Sequence, residues 1–340
     1  MKTIILGAGS LGTIAGALIT KNGGDVLLVD ANKAHVDALN KNGATVTGTM
    51  QLTVPVKAVT PDQMEGTFDL VLYLVKQTYN DSALKALIPH LHKESIVCTM
   101  QNGVPEDEVA RYVGREKVVG CAVGWGATWI GPGVSELTSD PAKMTLDLGE
   151  LDGSLTERVK KVAAIMEKIC PTEITTNLAG IRWAKLLINA TLSGMSASLG
   201  CTFGDVLDND KALACAAFIG DETIRVAAKL GVTLEKIQGA DLRILAFTTR
   251  AELVQKFAIY RAVFGPHRLL KASMLQDIEK GLKTEIDAIN GVVSESGKKV
   301  GIATPINDKV VETVKAIETG KMKSVFDNLS LFNLPELPEK

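Results

Sequence analysis

Apolar residues follow two rhythms along this chain. In the first half, short β-type runs at Thr3–Leu6, Asp25–Val29, Leu52–Val54 with Val56–Val59, Leu70–Val75, Ile96–Thr99, Val118–Val123 and Met144–Leu148 predict strands. Between several of them lie stretches of helical period, Leu11–Lys21, Ala34–Lys41 and Asp81–Leu91. Such alternation specifies a mostly parallel, doubly wound sheet with helices on both faces. Gly124–Pro141 is rich in Gly and aromatic residues, and its Gly131-Pro132-Gly133 turn predicts a hairpin over the sheet edge or the ligand crevice. A last helix near Gly153–Ile169 stops at Cys170-Pro171, and helix-period patterns dominate from there to about Thr319. The expected organisation is an α/β domain over residues 1–172, a helical domain over 173–330, and a tail, 331–340, that forms a surface strap or a frayed end.

The first two strands bracket Gly7-Ala8-Gly9-Ser10-Leu11-Gly12, and Asp30 closes the second. A GxGxxG between strand and helix, with an acid about 20 residues on, is the fingerprint of a Rossmann dinucleotide site. Gly7 permits the tight turn and Gly9 lets the backbone approach a pyrophosphate. Gly12 lets the helix pack on the sheet, Ala8, Ser10 and Leu11 complete the cofactor-binding loop, and the helix N-terminus presents free N–H groups to the anion. Asp30 can accept hydrogen bonds from both ribose hydroxyls and would repel a 2′-phosphate, so NAD(H) is favoured over NADP(H), although Lys33 could soften that preference. The glycine turn alone leaves FAD or a nucleotide sugar open. Ligands of doubly wound sheets sit beyond the carboxyl ends of the strands, where Lys76 and Gln101-Asn102-Gly103 are expected to face the cofactor crevice.

Composition narrows the partners. A net charge of −2 gives no reason to expect nucleic acid or an anionic membrane. No apolar run approaches the ~18 residues of a membrane span, and Met1–Leu6 is too short for a signal peptide. Five cysteines without CxxC spacing suggest buried reduced thiols in a cytoplasmic protein. His90 and His92 precede a strand at a surface turn, and no clustered His/Cys set predicts a metal site.

Two stretches of the second half carry chemistry. In Trp183-Ala-Lys185-Leu-Leu-Ile-Asn189, Lys185 and Asn189 share one helix face. The lysine either snorkels to the surface or sits desolvated in a pocket, where a lowered pKa would make it a proton donor. In the second stretch, Gly281 separates a helix containing Ser273 from another whose first turn holds Glu285, with Thr284 and Asp287 in a capping arrangement. Read alone, Glu285 is equally a helix-start acid and Ser273 a surface polar residue.

Taken in order, GAGSLG, Lys76, Gln101-Asn102-Gly103, Trp183-x-Lys185-x-x-x-Asn189, Ser273-Met-x-x-Asp277 and Thr284-Glu285-Ile-Asp287-x-Ile-Asn290-Gly291 form a set that resembles the ketopantoate reductase (2-dehydropantoate 2-reductase) family from Met1 to about Thr319. The resemblance implies a Rossmann domain joined to an all-α domain of the 6-phosphogluconate-dehydrogenase-like superfamily, with the active site in the cleft. It implies reduction of 2-dehydropantoate to (R)-pantoate, usually with NADPH, and a homodimer is the expected assembly. It gives Lys185 the role of proton donor to the ketone and Glu285 that of orienting the substrate. Ser273 would hold the substrate carboxylate and Asn189 would touch substrate from the lysine's helix, while Asn102 and Lys76 would sit by nicotinamide and substrate. The chemistry is coherent, because hydride arriving at a ketone carbon builds negative charge on oxygen that an ammonium stabilises and neutralises.

Departures loosen the substrate. Ser193 and Leu270 stand where the family often has asparagines, the stretch from Lys185 to Ser273 is long, and Asp30 stands near the position where NADPH-using members carry a basic residue. A different 2-oxo acid and NAD-linked pantoate oxidation remain open. So do a 3-hydroxy-acid dehydrogenase, which also pairs Lys with Asn four residues later, and a nicotinamide-binding sensor without turnover. The Thr284–Gly291 motif argues against the first and retention of Lys185 with Glu285 against the second.

Overall fold

The computed structural model describes residues 1–237 and 239–339, and divides them into two compact units, Met1–Gln101 with Pro105–Leu178 and Asn102–Val104 with Ala179–Lys340. In the first unit, β1 (Thr3–Leu6), α1 (Ser10–Lys21), β2 (Val26–Val29) and α2 (Lys33–Asn42) lead to β3 (Ala44–Gly48), β4 (Leu52–Val54), β5 (Lys57–Val59) and β6 (Phe68–Tyr73). There follow α3 (Asn80–Leu87), β7 (Leu91–Thr99), α4 (Glu106–Val113), β8 (Val118–Val123), β9 (Ala127–Gly131) and β10 (Val134–Leu137). β11 (Leu146–Gly149), α5 (Glu157–Met166) and β12 (Thr172–Ile174) close the unit. Eight strands form one sheet in the order β12-β11-β8-β7-β6-β1-β2-β5, parallel except where β11 runs against β8.

Both faces of this sheet are covered, which explains the unbroken apolar runs. Along β6, Leu70 and Leu72 join one core and Val71 and Tyr73 the other; Ile5 and its neighbours Ile4 and Leu6 on β1 divide in the same way. The expected hairpin is β9–β10, but it belongs to a second sheet, β4-β3-β10-β9. Leu52–Val54 therefore lies outside the main sheet, paired with β3. β3 carries only a weak strand signal, because its alternating Ala-Thr-Val-Thr-Gly buries one face alone. β12 lies beyond Pro171 and completes the large sheet, carrying the α/β unit past the expected break at residue 172.

The second unit consists of helices: α6 (Leu178–Leu199), α7 (Phe203–Asp208), α8 (Asp210–Lys229), α9 (Arg250–Phe264), α10 (Ser273–Glu279), α11 (Asn290–Val300) and α12 (Pro305–Glu318). They enclose one apolar core to which α6 contributes Ala184, Leu186, Leu187 and Ala190. The C-terminal stretch is pinned to this unit: Phe332 is fully buried and the Pro338 carbonyl accepts the N–H of Arg250. All five cysteines are buried, and burial pushes the thiols of Cys170, Cys201 and Cys215 up to about 12. Among the described residues no helix is long and apolar enough to cross a membrane, and no His/Cys/Asp/Glu cluster could hold a metal.

Candidate active site

The glycine loop sits at the carboxyl end of β1, flanked in the sheet by β2 and β6. Its glycines have distinct physical causes. Gly7 has a φ of +96°, and a Cβ there would lie 2.6 Å from the backbone nitrogen of Val75. A Cβ on Gly12 would run into the Gly7 carbonyl oxygen. The fold therefore dictates both. At Gly9 a Cβ would meet nothing within 4 Å, so the fold leaves the space beside this backbone open. Gly9 caps α1 without a side chain, and the first turn of α1 holds no acid. Free N–H groups and the positive end of the helix dipole thus stand beside open space, which suits a pyrophosphate.

Asp30 follows β2, half-buried, and its Oδ1 accepts the N–H of Asn32 at 2.9 Å. That bond fixes the turn into α2, which Asn32 caps through the N–H of His35. Lys33 is engaged by Asp37 one turn along at 3.0 Å, both side chains being well exposed.

Two residues that carry no local sequence signal hold the loops at this end of the sheet. His35 is 1% exposed, with Nδ1 accepting the Gly133 N–H at 2.9 Å. Nε2 therefore carries the ring hydrogen and donates to the Ala8 carbonyl at 2.7 Å, which also receives the Thr13 hydroxyl. One imidazole so joins the glycine loop to the β9–β10 turn. A lone histidine on an amphipathic helix carries no sequence signal for this, because Gly133 is 98 residues away. Asn80 is the second: its Oδ1 accepts from the Tyr73 hydroxyl (2.9 Å) and from Nε2 of Gln101 (2.8 Å). Gln101 also donates to the Val75 carbonyl at 2.6 Å, tying the loops after β6 and β7 together. Gln101 is thus buried structure and does not face outward as expected, whereas Lys76 is exposed and Asn102 half-buried. The one available hint was Tyr73, a phenol in an aliphatic strand, whose ionisation burial pushes far up.

In the second unit, Lys185, Asn189 and Ser193 fall at four-residue intervals on α6 and are all half-buried, while Ala184, Leu186 and Leu187 are fully buried. Helical spacing aligns the three on one stripe. Ser273 is the first residue of α10 and exposed, and the N–H of Ala272 approaches the Ser196 hydroxyl at 3.4 Å. Ser273 therefore starts its helix beside the later half of α6, some three turns beyond Lys185. Leu270, just before, is 52% exposed.

Glu285 is half-buried and precedes a single 3-10 turn, Ile286–Ala288, that leads into α11; it does not stand in the first turn of that helix as expected. The Thr284–Asp287 box does not close either. The Thr284 hydroxyl accepts the Ile286 N–H, but Asp287 pairs with Lys315 at 2.6 Å and Glu318 takes the Thr284 N–H. A lysine and a carboxylate nearby on α12 win those partners, which local spacing cannot reveal. Asn290, five residues after Glu285, donates to the Ala190 carbonyl at 3.2 Å and so ties this segment to the helix of Lys185 and Asn189.

Comparison with known proteins agrees with both halves. The family model described as ketopantoate reductase PanE/ApbA matches residues 3–153, and that for the PanE/ApbA C-terminal region matches 177–318. The 2-dehydropantoate 2-reductase of Pyrococcus horikoshii is 30% identical over 94% of this chain and 98% of its own. That of Pyrococcus abyssi is 31% identical over 90% and 94%. Among solved structures, D-mandelate dehydrogenase with NADH and anilino(oxo)acetate superposes with a TM-score of 0.80 at 25% identity, covering 94% of this chain and 99% of that one. A ketopantoate reductase of Ralstonia eutropha does so at 0.79 and 27%, with the same coverage. The chain, with its doubly wound α/β unit and its helical unit, belongs to the ketopantoate reductase family of NAD(P)-dependent oxidoreductases.

Proposed function

We propose that this protein reduces a 2-oxo acid to the 2-hydroxy acid with NADH, and that 2-dehydropantoate is the leading substrate. The observation that carries the reading is the half-buried stripe of Lys185 and Asn189 on a helix whose neighbouring Ala184, Leu186 and Leu187 are fully buried. An ammonium held partly out of water is a competent donor to an oxygen that gains charge, and Asn189 can hold that oxygen or a neighbouring hydroxyl. The start of α1 and the open backbone at Gly9 would take the pyrophosphate, and Asp30 the adenosine ribose. When bound, the reduced nicotinamide supplies a hydride to the carbonyl carbon. Lys185 then gives a proton to the carbonyl oxygen, so that ketone, hydride and proton make the alcohol. Glu285 orients the substrate, Ser273 holds its carboxylate, and Lys76 and Asn102 flank the reacting groups. NADH is favoured because the Asp30 carboxylate would accept from the ribose and repel a 2′-phosphate, a preference that Lys33, on its exposed pair with Asp37, could soften.

A second reading keeps the chemistry and changes the acid. Ser193 and the exposed Leu270 offer a short hydroxyl and an apolar side chain, which suits a 2-oxo acid with an apolar side chain. The likeness to a D-mandelate dehydrogenase with bound NADH supports it. A matrix of NADH and NADPH against 2-dehydropantoate, 2-oxo acids of branched and aromatic side chain, and 3-oxo acids distinguishes these. Fastest turnover of 2-dehydropantoate with NADH is expected. Preference for an aromatic or branched acid selects the second reading, and no oxidation with any 2-oxo acid rejects both.

A further inference from the structure

A buried polar chain runs through the helical unit beside the proposed catalytic helix. Glu222, on α8, is fully buried in a helical core. Its Oε1 accepts the N–H of Ile306 at 3.0 Å, and its Oε2 accepts the N–H of Asn307 at 3.0 Å and Nδ2 of Asn307 at 2.7 Å. These are the second and third residues of α12, whose own cap residue, Thr304, gives its hydroxyl to Asp308 and accepts none of the helix N–H groups. One helix thus caps another, with a carboxylate at the positive end of the dipole.

The chain continues in one direction only. Asn307 presents its amide nitrogen to Glu222, so its Oδ1 faces Asn290 and accepts Nδ2 of Asn290 at 2.9 Å. The same Nδ2 donates to the Ala190 carbonyl at 3.2 Å, one residue past Asn189 on α6. Both asparagines are fully buried. Because both Glu222 oxygens accept N–H groups here, they dictate which way the Asn307 carboxamide lies, and Asn307 in turn dictates Asn290. The site is also shaped for this approach. A Cβ on Gly194 would stand 2.5 Å from Val310 Cγ1 and 2.7 Å from Asn290 Oδ1, so only glycine lets Asn290 reach α6 there.

We propose that Glu222 is a positioning residue for the reductive site, setting the orientation of Asn307 and Asn290 and thereby the placement of the Glu285 segment on the helix of Lys185 and Asn189. Reversal of the carboxamides would set the Asn290 oxygen against the Ala190 carbonyl, and the two acceptors would separate. The inference rests on the reductase reading for its activity measurement, and amide exchange supplies a measurement independent of it.

The test is a polarity swap. Glu222→Gln can present N–H groups to Asn307 and lets both carboxamides reverse. In the double variant Glu222→Gln with Asn307→Asp, the carboxylate introduced at position 307 accepts from the carboxamide introduced at position 222 and from Asn290, and the original direction returns. With the preferred 2-oxo acid, Glu222→Gln should lower kcat about tenfold or more with KM and the NADH dissociation constant changed little, as expected when reacting groups are misplaced by a fraction of an ångström. Hydrogen exchange should rise in peptides spanning Leu187–Met195 and Glu285–Gly291. The double variant should recover most of both losses. Asn290→Ala, which cuts the chain at its last link and keeps Glu222, should reproduce the kcat loss. A melting temperature lowered in Glu222→Gln with kcat within twofold of the parent would overturn the proposal, as would a double variant no better than the single one. If the parent turns over no 2-oxo acid, the functional reading fails and the exchange pattern alone decides for or against the chain.

Discussion

Lys185 owes its proposed chemistry to the residues around it as much as to its own ammonium. Its neighbours Ala184, Leu186 and Leu187 are fully buried, which keeps α6 fixed against the core and sets the exposed fraction of the lysine. Lys185→Ala should lower kcat by about 100-fold or more through loss of the proton donor, while NADH still binds the intact glycine loop. Stopped-flow turnover together with fluorescence titration of NADH checks both; a near-normal rate would reject the role. Asp30 is argued at the same scale. Its carboxylate is already committed to the Asn32 N–H through one oxygen, leaving the second for a ribose hydroxyl. Asp30→Ala should narrow the ratio of kcat/KM for NADH over NADPH, since it removes both a ribose acceptor and the charge that repels a 2′-phosphate. An unchanged ratio would mean that the carboxylate is not on the ribose.

At the scale of elements, the glycine loop separates what folding requires from what a ligand requires. Gly12 is close against the Gly7 carbonyl, and α1 cannot approach β1 with a methyl group between them. A Cβ on Gly9 would meet nothing within 4 Å beyond its own chain neighbours. Gly12→Ala should therefore lower the melting temperature, at a cost of about 1–3 kcal/mol or more, because overpacking here must move backbone. Gly9→Ala should leave it nearly unchanged and weaken NADH binding, because the added methyl occupies the space next to free N–H groups. Thermal melts and cofactor titrations on the pair separate the effects. His35 belongs to this scale too, since one buried ring holds the loop, α1 and the β9–β10 turn in mutual register.

Across the whole molecule, most ionised pairs lie at the surface and contribute little. The buried carboxyl of Glu222 differs. Burial pushes it up to about 7, against three N–H donors that favour its charged form. The native state therefore keeps this proton to higher pH than the unfolded chain, whose glutamate releases it near 4.5. The group's contribution is fully present below about 4.5 and falls as pH rises through about 7, by at most roughly 3 kcal/mol. Asp221, raised by burial in spite of Arg225, acts in the same sense, whereas lowered carboxyls such as Asp241, held at about 2, matter only in more acid solution. Denaturant unfolding at pH 5 and pH 8 should show a smaller difference for Glu222→Gln than for the parent; an equal difference would remove Glu222 as its source. Much of the architecture was legible from local pattern. Apolar strand runs, the glycine turn and the helical periods depend on near neighbours, and so do the four-residue spacings that align Lys185 with Asn189. Legibility stopped where partners are distant in sequence. β3 joins β10 across some 90 residues, Gln101 turns inward to Asn80 and Val75, and Asp287 leaves Thr284 for Lys315. The chain of amino acids by itself determined the two-unit fold, the dinucleotide fingerprint and the candidate lysine, because each is encoded in residue type at short spacing. Only the tertiary structure decided that Gly9 is the one glycine of the loop without steric need. Only it decided that Glu222, Asn307 and Asn290 meet at Ala190, since those contacts join four helices whose side chains find one another through packing.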